Sequence, residues 1–218
     1  MVRALPPSAS VAQNGEGAKL FAPAAARNGA AIAALLVDHA PTSGSALEIA
    51  SGTGQHVTAF ATALPDLYWH PTEINTARCA SINAYVTEAG LSNVAAAGML
   101  NATQQGWSAS LPANDMIVLV NLLHLISETE TRTLIAEAAL ALSPSGTLIF
   151  YGPFMRGGVL ISDGDARFDA ELRGADPAIG YKGDLDIADW LSDAGLIEIK
   201  TVEMPANNLA FIARKHAP

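Results

Sequence analysis

The chain has 218 residues, half of them hydrophobic, with 12 Lys and Arg against 21 Asp and Glu and a formal charge of −9. That length and apolar share suit one α/β domain with a real core, and the acidic balance repels phosphate backbones, so no nucleic-acid partner is expected. A lone Cys79 excludes an internal disulfide and a cysteine-built zinc site; with no apolar run long enough to span a bilayer and no signal-peptide core, the chain is expected to be cytoplasmic with no membrane partner.

Residues 1–17 are mostly small and polar and are expected to be loosely ordered, leaving a single domain over 18–218. Helical periodicity over 24–39 puts Ile32, Leu35 and Leu36 on one face. A buried strand follows at 46–50. Next comes a helix with Val57, Phe60, Ala61 and Leu64 at helical spacing, closed by Pro65. Residues 67–70 read as a second strand. Residues 76–89 read as a helix stopped by Gly90. A third strand is expected at 94–97. The unbroken apolar run at 116–120 marks a fourth strand covered on both faces. Ser127 and Glu130 form a capping-box pattern for a helix reaching Leu142. Ser143-Pro144-Ser145-Gly146 then turns the chain into a fifth strand at 147–151.

Beyond it, 163–173 and 184–194 read as helices. Two apolar runs at 197–204 and 209–214 flank Pro205-Ala206-Asn207-Asn208, the pattern of an antiparallel hairpin. Alternating strands and helices followed by a hairpin predict an α/β, Rossmann-like fold: a seven-stranded, mostly parallel sheet with an antiparallel C-terminal hairpin.

The segment richest in chemistry is Leu47-Glu48-Ile49-Ala50-Ser51-Gly52-Thr53-Gly54-Gln55-His56, a glycine turn between a strand and a helix. Ligands of open α/β sheets bind at such carboxyl ends. Gly52 and Gly54 let the backbone approach a ligand closely. Glu73 follows the second strand 19 residues after Gly54, where a carboxylate can accept from ribose hydroxyls. The Gly-Lys-Ser/Thr of a phosphate loop is absent. Val57 stands where a dinucleotide fingerprint has its third glycine, which weakens an NAD(P)-dependent oxidoreductase reading. A nucleoside without phosphates fits the loop better. The histidines His39, His56, His70, His124 and His216 show no short ligand spacing, so no metal is expected.

These segments resemble class I methyltransferases that use S-adenosylmethionine. Leu-Glu-Ile-Ala-Ser-Gly-Thr-Gly is similar to their first motif, Glu73 stands at the ribose-binding acidic position, and Leu100-Asn101 is similar to the adenine-contacting Leu-Asp, with Asn101 departing from the aspartate. Residues 115–120 and 142–146 resemble the fourth-strand and fifth-strand motifs. A more specific resemblance is to the DUF938 family, the relatives of methyltransferase-like protein 26. It lies in Pro23-Ala24-Ala25-Ala26-Arg27-Asn28, Glu48 to His56, Tyr151-Gly152-Pro153-Phe154, Phe168-Asp169, Asp176-Pro177 and Glu203-Met204-Pro205-Ala206-Asn207-Asn208-Leu209.

The resemblance implies S-adenosylmethionine as cofactor and a small molecule as methyl acceptor, with no assigned substrate. It carries Glu48, Ser51, Gly52, Gly54, Glu73, Asn101 and Asn121 to cofactor binding, and Arg27 to the cofactor's carboxylate, for which a guanidinium fork is suited. His124, just past the fourth strand, and Tyr151, at the end of the fifth, become the catalytic candidates. Alternatives are a packing histidine and a half-buried core tyrosine. His56 reads as a solvent-facing first-turn residue, or as a substrate contact. Residues 152–183 read as an acceptor-side insertion, in which Phe168, Asp169, Asp176 and Tyr181 are specificity candidates, with Asp169 taken alone reading rather as a helix-surface residue. The same fold and cofactor site would also serve a non-catalytic protein acting through a partner.

Overall fold

The computed structural model describes residues 5–217. A two-residue strand β1 (Gln13–Asn14) and its partner β2 (Leu20–Phe21) lead into helix α1 (Pro23–His39). Then follow β3 (Gly44–Ile49), α2 (Gln55–Ala63), β4 (Leu67–Glu73), α3 (Thr76–Glu88) and β5 (Gly98–Met99). The second half holds β6 (Asn114–Val120), α4 (Glu128–Ala141), β7 (Leu142–Pro153), α5 (Asp163–Ala175), α6 (Asp184–Asp193), β8 (Leu196–Met204) and β9 (Asn208–Lys215).

Seven strands form one sheet in the order β5-β4-β3-β6-β7-β9-β8. The first five run parallel, and β9 lies antiparallel between β7 and β8. The chain order reverses between β3 and β6, so a crevice opens above their carboxyl ends, where ligands of such sheets sit.

Alternation along the strands feeds two cores. Ala46, Met116, Val118, Ile149 and Tyr151 pack under α1 and α2 with Ile32, Leu36, Phe60 and Trp69. Leu47, Ile49, Ile117, Leu119, Leu148 and Phe150 pack on the other face with Leu134 and Ile135 of α4 and Trp190 and Leu191 of α6. Strands β3 and β6 have partners on both edges and helices on both faces, which is why they read as apolar runs. A third, smaller cluster of Ala9, Leu125, Leu172, Ile179 and Tyr181 sits beneath α5.

Four expectations shift. The third strand is β5, four residues later than the 94–97 reading; Val94 makes only an isolated bridge to Trp69. Strand β4 runs on through Pro71. Trp69 bonds to Asn93 and Ala95 on the β5 side, so by alternation the missing N–H of Pro71 faces that side too, and no strand pairs there until Thr72 meets Gly98. Strand β7 begins at Leu142, absorbing the Ser143–Gly146 turn through a left-handed Ser145 and a register shift opposite Asn114 and Met116. Finally, residues 5–17, expected to be loosely ordered, carry packing. Ala9 is buried against Leu125 and Tyr181, Ser8 donates to Glu171, and β1 pairs with β2. Residues 1–4 of that expectation lie outside the described residues. No described helix is long and apolar enough to cross a membrane.

Candidate functional site

Between β3 and α2 the backbone passes through left-handed conformations at Ala50, Gly52 and Gly54, with φ of 55°, 63° and 96°. A Cβ on Gly54 would stand 2.6 Å from the Ile82 Cα of α3, so this glycine is required twice, by φ and by contact. The turn is held from several sides. Ser81 Oγ of α3 donates to Thr53 O at 2.7 Å. Ser51 N donates to Thr72 O at 2.8 Å, while Thr72 N donates to Ser51 Oγ at 3.2 Å. Ser51, expected at the cofactor, thus stitches β3 to β4.

Glu73, the last residue of β4, accepts from the Gly52 N–H at 3.0 Å with Oε2 and from Ile74 N at 2.8 Å with Oε1. Arg78 Nη1 stands 3.9 Å from it. Beside this carboxylate, Ile74 and Met99 are 59% and 58% exposed although they lie next to the core strands, an apolar ledge suited to the face of a base. Leu100 N bonds to Glu73 O, bringing the Asn101 loop to the same edge. The Asn101 side-chain oxygen accepts from Thr103 N at 3.1 Å and Thr103 Oγ1 at 2.7 Å. Both its lone pairs are in use, so an adenine amino group would have to displace the Thr103 hydroxyl.

Glu48 lies on β3 behind the turn, 1% exposed, with Oε2 lacking any hydrogen-bond partner among the described residues. Burial pushes its carboxyl up to about 8, opposed by a hydrogen bond from Ser51 and reinforced by the charge of Glu73. An orphaned buried carboxyl oxygen at the switch point is a position for a cationic or donor group of a ligand.

On the α1–α2 side, His56 is buried rather than solvent-facing. It stacks on Phe60 at 5.4 Å between ring centroids, and its Nε2 meets Asn28 Oδ1 at 2.8 Å. Burial drops its pKa to about 4, so the ring is neutral and Nε2–H is the donor. The Tyr151 phenol faces the same Asn28 amide, whose hydrogen bonding offsets part of the rise that burial causes. Asn121, left-handed at φ 56°, directly follows β6 and donates its N–H to Tyr151 O at 2.8 Å.

The opposite side of the crevice holds His124. It is buried against Phe168 and Tyr181, with centroids at 5.7 and 6.2 Å, and Gly180 N bonds to its carbonyl. Burial and then the nearby Lys182 charge lower its pKa to about 3. Lys182 itself donates to Ile126 O and Gly180 O. Asp169 is buried, not on the helix surface: it accepts from Tyr181 N and from Arg173 Nε, both at 2.7 Å, and so ties α5 to the 176–182 loop.

The structure therefore gathers Glu48, Ser51, Gly52, Gly54 and Glu73 around one turn, with Asn101 and Asn121 at its two flanks. His124 and Tyr151 are not brought together: no hydrogen bond or ring contact joins them, and Tyr151 packs in the α1–α2 layer. Arg27 is exposed, with no ion pair to another described residue. Asn28, Ile74, Arg78 and Met99 were missed by sequence reasoning; for Asn28 the only signal was its place in the Pro23-to-Asn28 block. No group of three or more His, Cys, Asp or Glu among the described residues is arranged to hold a metal.

A glycine turn at the switch point, an acidic residue ending the next strand and a sheet with a single antiparallel return strand define the Rossmann-like class I methyltransferase fold. Within that class the chain belongs to the DUF938 family of proteins of unknown function, whose model matches residues 19–215. Its fold is similar to that of an O-methyltransferase family protein from Burkholderia thailandensis, with a TM-score of 0.76 and 18% identity over 89% of this chain and 58% of that one. Human N-acetylserotonin methyltransferase, solved in complex with SAM, is similar at 0.69 and 13% over 89% of this chain and 53% of its own. An O-methyltransferase family 2 protein from Planctomyces limnophilus, solved in complex with apigenin, is similar at 0.72 and 15% over 88% and 60%. The chain thus spans little more than half the length of these proteins.

Proposed function

We propose that this protein transfers a methyl group from S-adenosylmethionine to a small-molecule acceptor. The observation that carries the reading is the pairing of two carboxyls at one glycine turn. Glu73 is oriented by backbone N–H groups; Glu48 is buried with an orphaned oxygen. The first suits a ribose diol beside the Ile74–Met99 ledge. The second suits the ammonium group of an amino acid. A dinucleotide would leave Glu48 unexplained, and Val57 is packed in the core where a third glycine would let the helix approach the strand. When bound, the cofactor supplies a methyl group on a positively charged sulfur, ready for in-line displacement.

The protein's task is alignment, which supplies roughly 7–11 kcal/mol in well-oriented reactions. His124, Phe168 and Tyr181 form the acceptor side, beneath the 154–183 segment between β7 and α6. With its low pKa the neutral His124 imidazole accepts a hydrogen bond from an acceptor hydroxyl and orients it, but does not hold its proton.

Calorimetry with S-adenosylmethionine, S-adenosylhomocysteine, NAD(H) and NADP(H) tests the cofactor assignment. Micromolar binding of the sulfur nucleosides alone is expected, and binding of neither ends the proposal. Formation of S-adenosylhomocysteine in stoichiometric excess over enzyme, with a panel of phenols, thiols and amines, separates an enzyme from a cofactor-binding protein that acts through a partner.

A further inference from the structure

The methyl-transfer reading leaves the segment before β1 unused, yet three successive residues fasten it. Pro7 stands second in a tight turn closed by Ala9 N donating to Pro6 O at 2.9 Å, a position that suits the fixed φ of proline. Ser8 Oγ donates to Glu171 Oε2 of α5 at 2.6 Å. Ala9 is buried among Leu125, Leu172, Ile179 and Tyr181, and Leu5 packs on the same cluster. Ser10, left-handed at φ 55°, offers its carbonyl and hydroxyl oxygens to Arg78 Nη2, at 3.1 and 2.6 Å. A serine in that conformation is held there by its surroundings.

These contacts lie on opposite flanks of the crevice. Strands β4 and β6 both pair with β3, so their carboxyl ends stand two strand spacings apart, about 10 Å. Arg78, in the first turn of α3, follows β4; Leu125 follows β6, and Tyr181 packs on His124 beside it. Ser8 to Ser10 span at most about 7 Å of chain. A segment this short that touches both flanks passes over the end of β3, where the glycine turn lies. The Arg78 that holds Ser10 also stands 3.9 Å from Glu73. Glu73 and His124, one on each flank, are both buried, while the Ile74–Met99 ledge is left uncovered. We infer that residues 5–10 form a strap that gates the crevice: docked through Ala9 it closes over the glycine turn, and a nucleoside enters or leaves when Ala9 quits its socket. The inference rests on the cofactor reading above and adds a gate to that same site. One buried methyl and a few exposed hydrogen bonds hold the strap, so it opens locally far more easily than the sheet unfolds.

Two full-chain variants test it. Ala9→Asp sets a carboxylate against the apolar socket and undocks the strap; Ser8→Ala, at an exposed position, removes only the Glu171 contact. Without ligand, amide exchange is read at Gly52 and Ile74, whose N–H groups bond to Glu73. It should quicken about tenfold or more in Ala9→Asp, with β6 still protected, and about twofold in Ser8→Ala. Stopped-flow fluorescence then follows binding of S-adenosylhomocysteine and of 5′-methylthioadenosine, which has the same nucleoside and sulfur without the amino-acid end. A gate slows entry and exit alike. Both rates should therefore rise about fivefold or more in Ala9→Asp, for both ligands, while the dissociation constant moves less than about threefold. A merely structural role would raise the dissociation rate alone and weaken binding. That result, or unchanged exchange at Gly52 and Ile74, overturns the inference. If Ala9→Asp fails to fold, the smaller rises in Ser8→Ala decide. If the wild-type protein takes up neither ligand, it is the cofactor reading that fails, and the exchange rates alone decide the strap.

Discussion

Gly52 and Glu73, 21 residues apart, are joined by a 3.0 Å hydrogen bond from the Gly52 N–H to a carboxylate oxygen of Glu73, which is 4% exposed at the end of β4. One side chain therefore shapes the turn and, in the proposed cofactor reading, also meets the ribose. Glu73→Ala removes both functions. Two ribose hydroxyls donating to the carboxylate contribute about 1.5–3 kcal/mol each, so binding of S-adenosylhomocysteine falls about a hundredfold or more. Because 5′-methylthioadenosine has the same ribose, calorimetry shows it losing as much. A loss confined to S-adenosylhomocysteine would place Glu73 at the wrong end of the ligand.

The glycine turn makes a graded prediction. Both Gly52 and Gly54 have positive φ, which costs a residue with a Cβ about 1–2 kcal/mol. At Gly52 the nearest atom to an added Cβ is 4.0 Å away; at Gly54 it is backbone of α3 at 2.6 Å. Urea unfolding should show Gly52→Ala losing about 1–2 kcal/mol, and Gly54→Ala about 3–5 kcal/mol as the helix is pushed off. Ala50 already bears the left-handed strain without a glycine, so Ala50→Gly stabilises by up to about 1 kcal/mol. Equal costs at positions 52 and 54 would mean that α3 yields freely.

Stability of the unliganded protein follows from three buried groups. Glu48 has its pKa raised, so its contribution is full below about 4.5 and is lost as pH rises toward about 8. His56 and His124 have theirs lowered, so their contributions are full above 6.5 and are lost as pH falls toward about 4 and about 3. Each group changes stability by at most about 1.4 kcal/mol per pH unit. From pH 4.5 to 6.5 two rising slopes oppose one falling slope; above 6.5 only the falling one remains. Thermal melting should peak near pH 6.5, and Glu48→Gln should flatten the alkaline side. An unchanged alkaline slope in that variant would show that Glu48 is not the group responsible.

Ligand binding reverses the Glu48 effect. An ammonium set against its orphaned oxygen favours the ionised form, so the proton held by the empty site leaves when the ligand arrives. Calorimetry of S-adenosylhomocysteine at pH 7, run in buffers of different ionisation enthalpy, should report release of close to one proton, and none from Glu48→Gln. With 5′-methylthioadenosine, which lacks the ammonium, the wild-type release disappears.

Much of this was legible because it is local. The apolar run of β6, the Ser127–Glu130 capping box and the Asn207 turn each announce themselves within a few residues, and the structure contains all three. The spacing from Gly54 to Glu73 is one crossover long, so it too shows in the chain. What failed depends on distant partners. His56 looks solvent-facing until Asn28, 28 residues earlier, is packed against it. Strand β5 is only two residues long and has an exposed pattern, so hydrophobic alternation cannot locate it. Ala9 is buried only because Leu125, Leu172 of α5 and Tyr181, more than a hundred positions away, meet over it.

Asp169 is the sharpest of these failures. A charged residue in the middle of a polar helix reads as surface, yet this carboxylate is 7% exposed and accepts from both Tyr181 N and Arg173 Nε. Its Oδ1 also lies 2.6 Å from where a Cβ on Gly180 would stand, so the loop has closed onto it. Asp169→Ala would leave the Tyr181 N–H buried without a partner and cost about 2–3 kcal/mol, whereas Asp189→Ala, on an exposed face of α6, should stay within about 0.5 kcal/mol. The loss also reaches the surroundings of His124, because Tyr181 and Phe168 are the rings packed against it. Amide hydrogen exchange should therefore quicken at Gly180 and Tyr181 in Asp169→Ala while β6 keeps its protection. If exchange in that loop does not change, the carboxylate is not what fastens it.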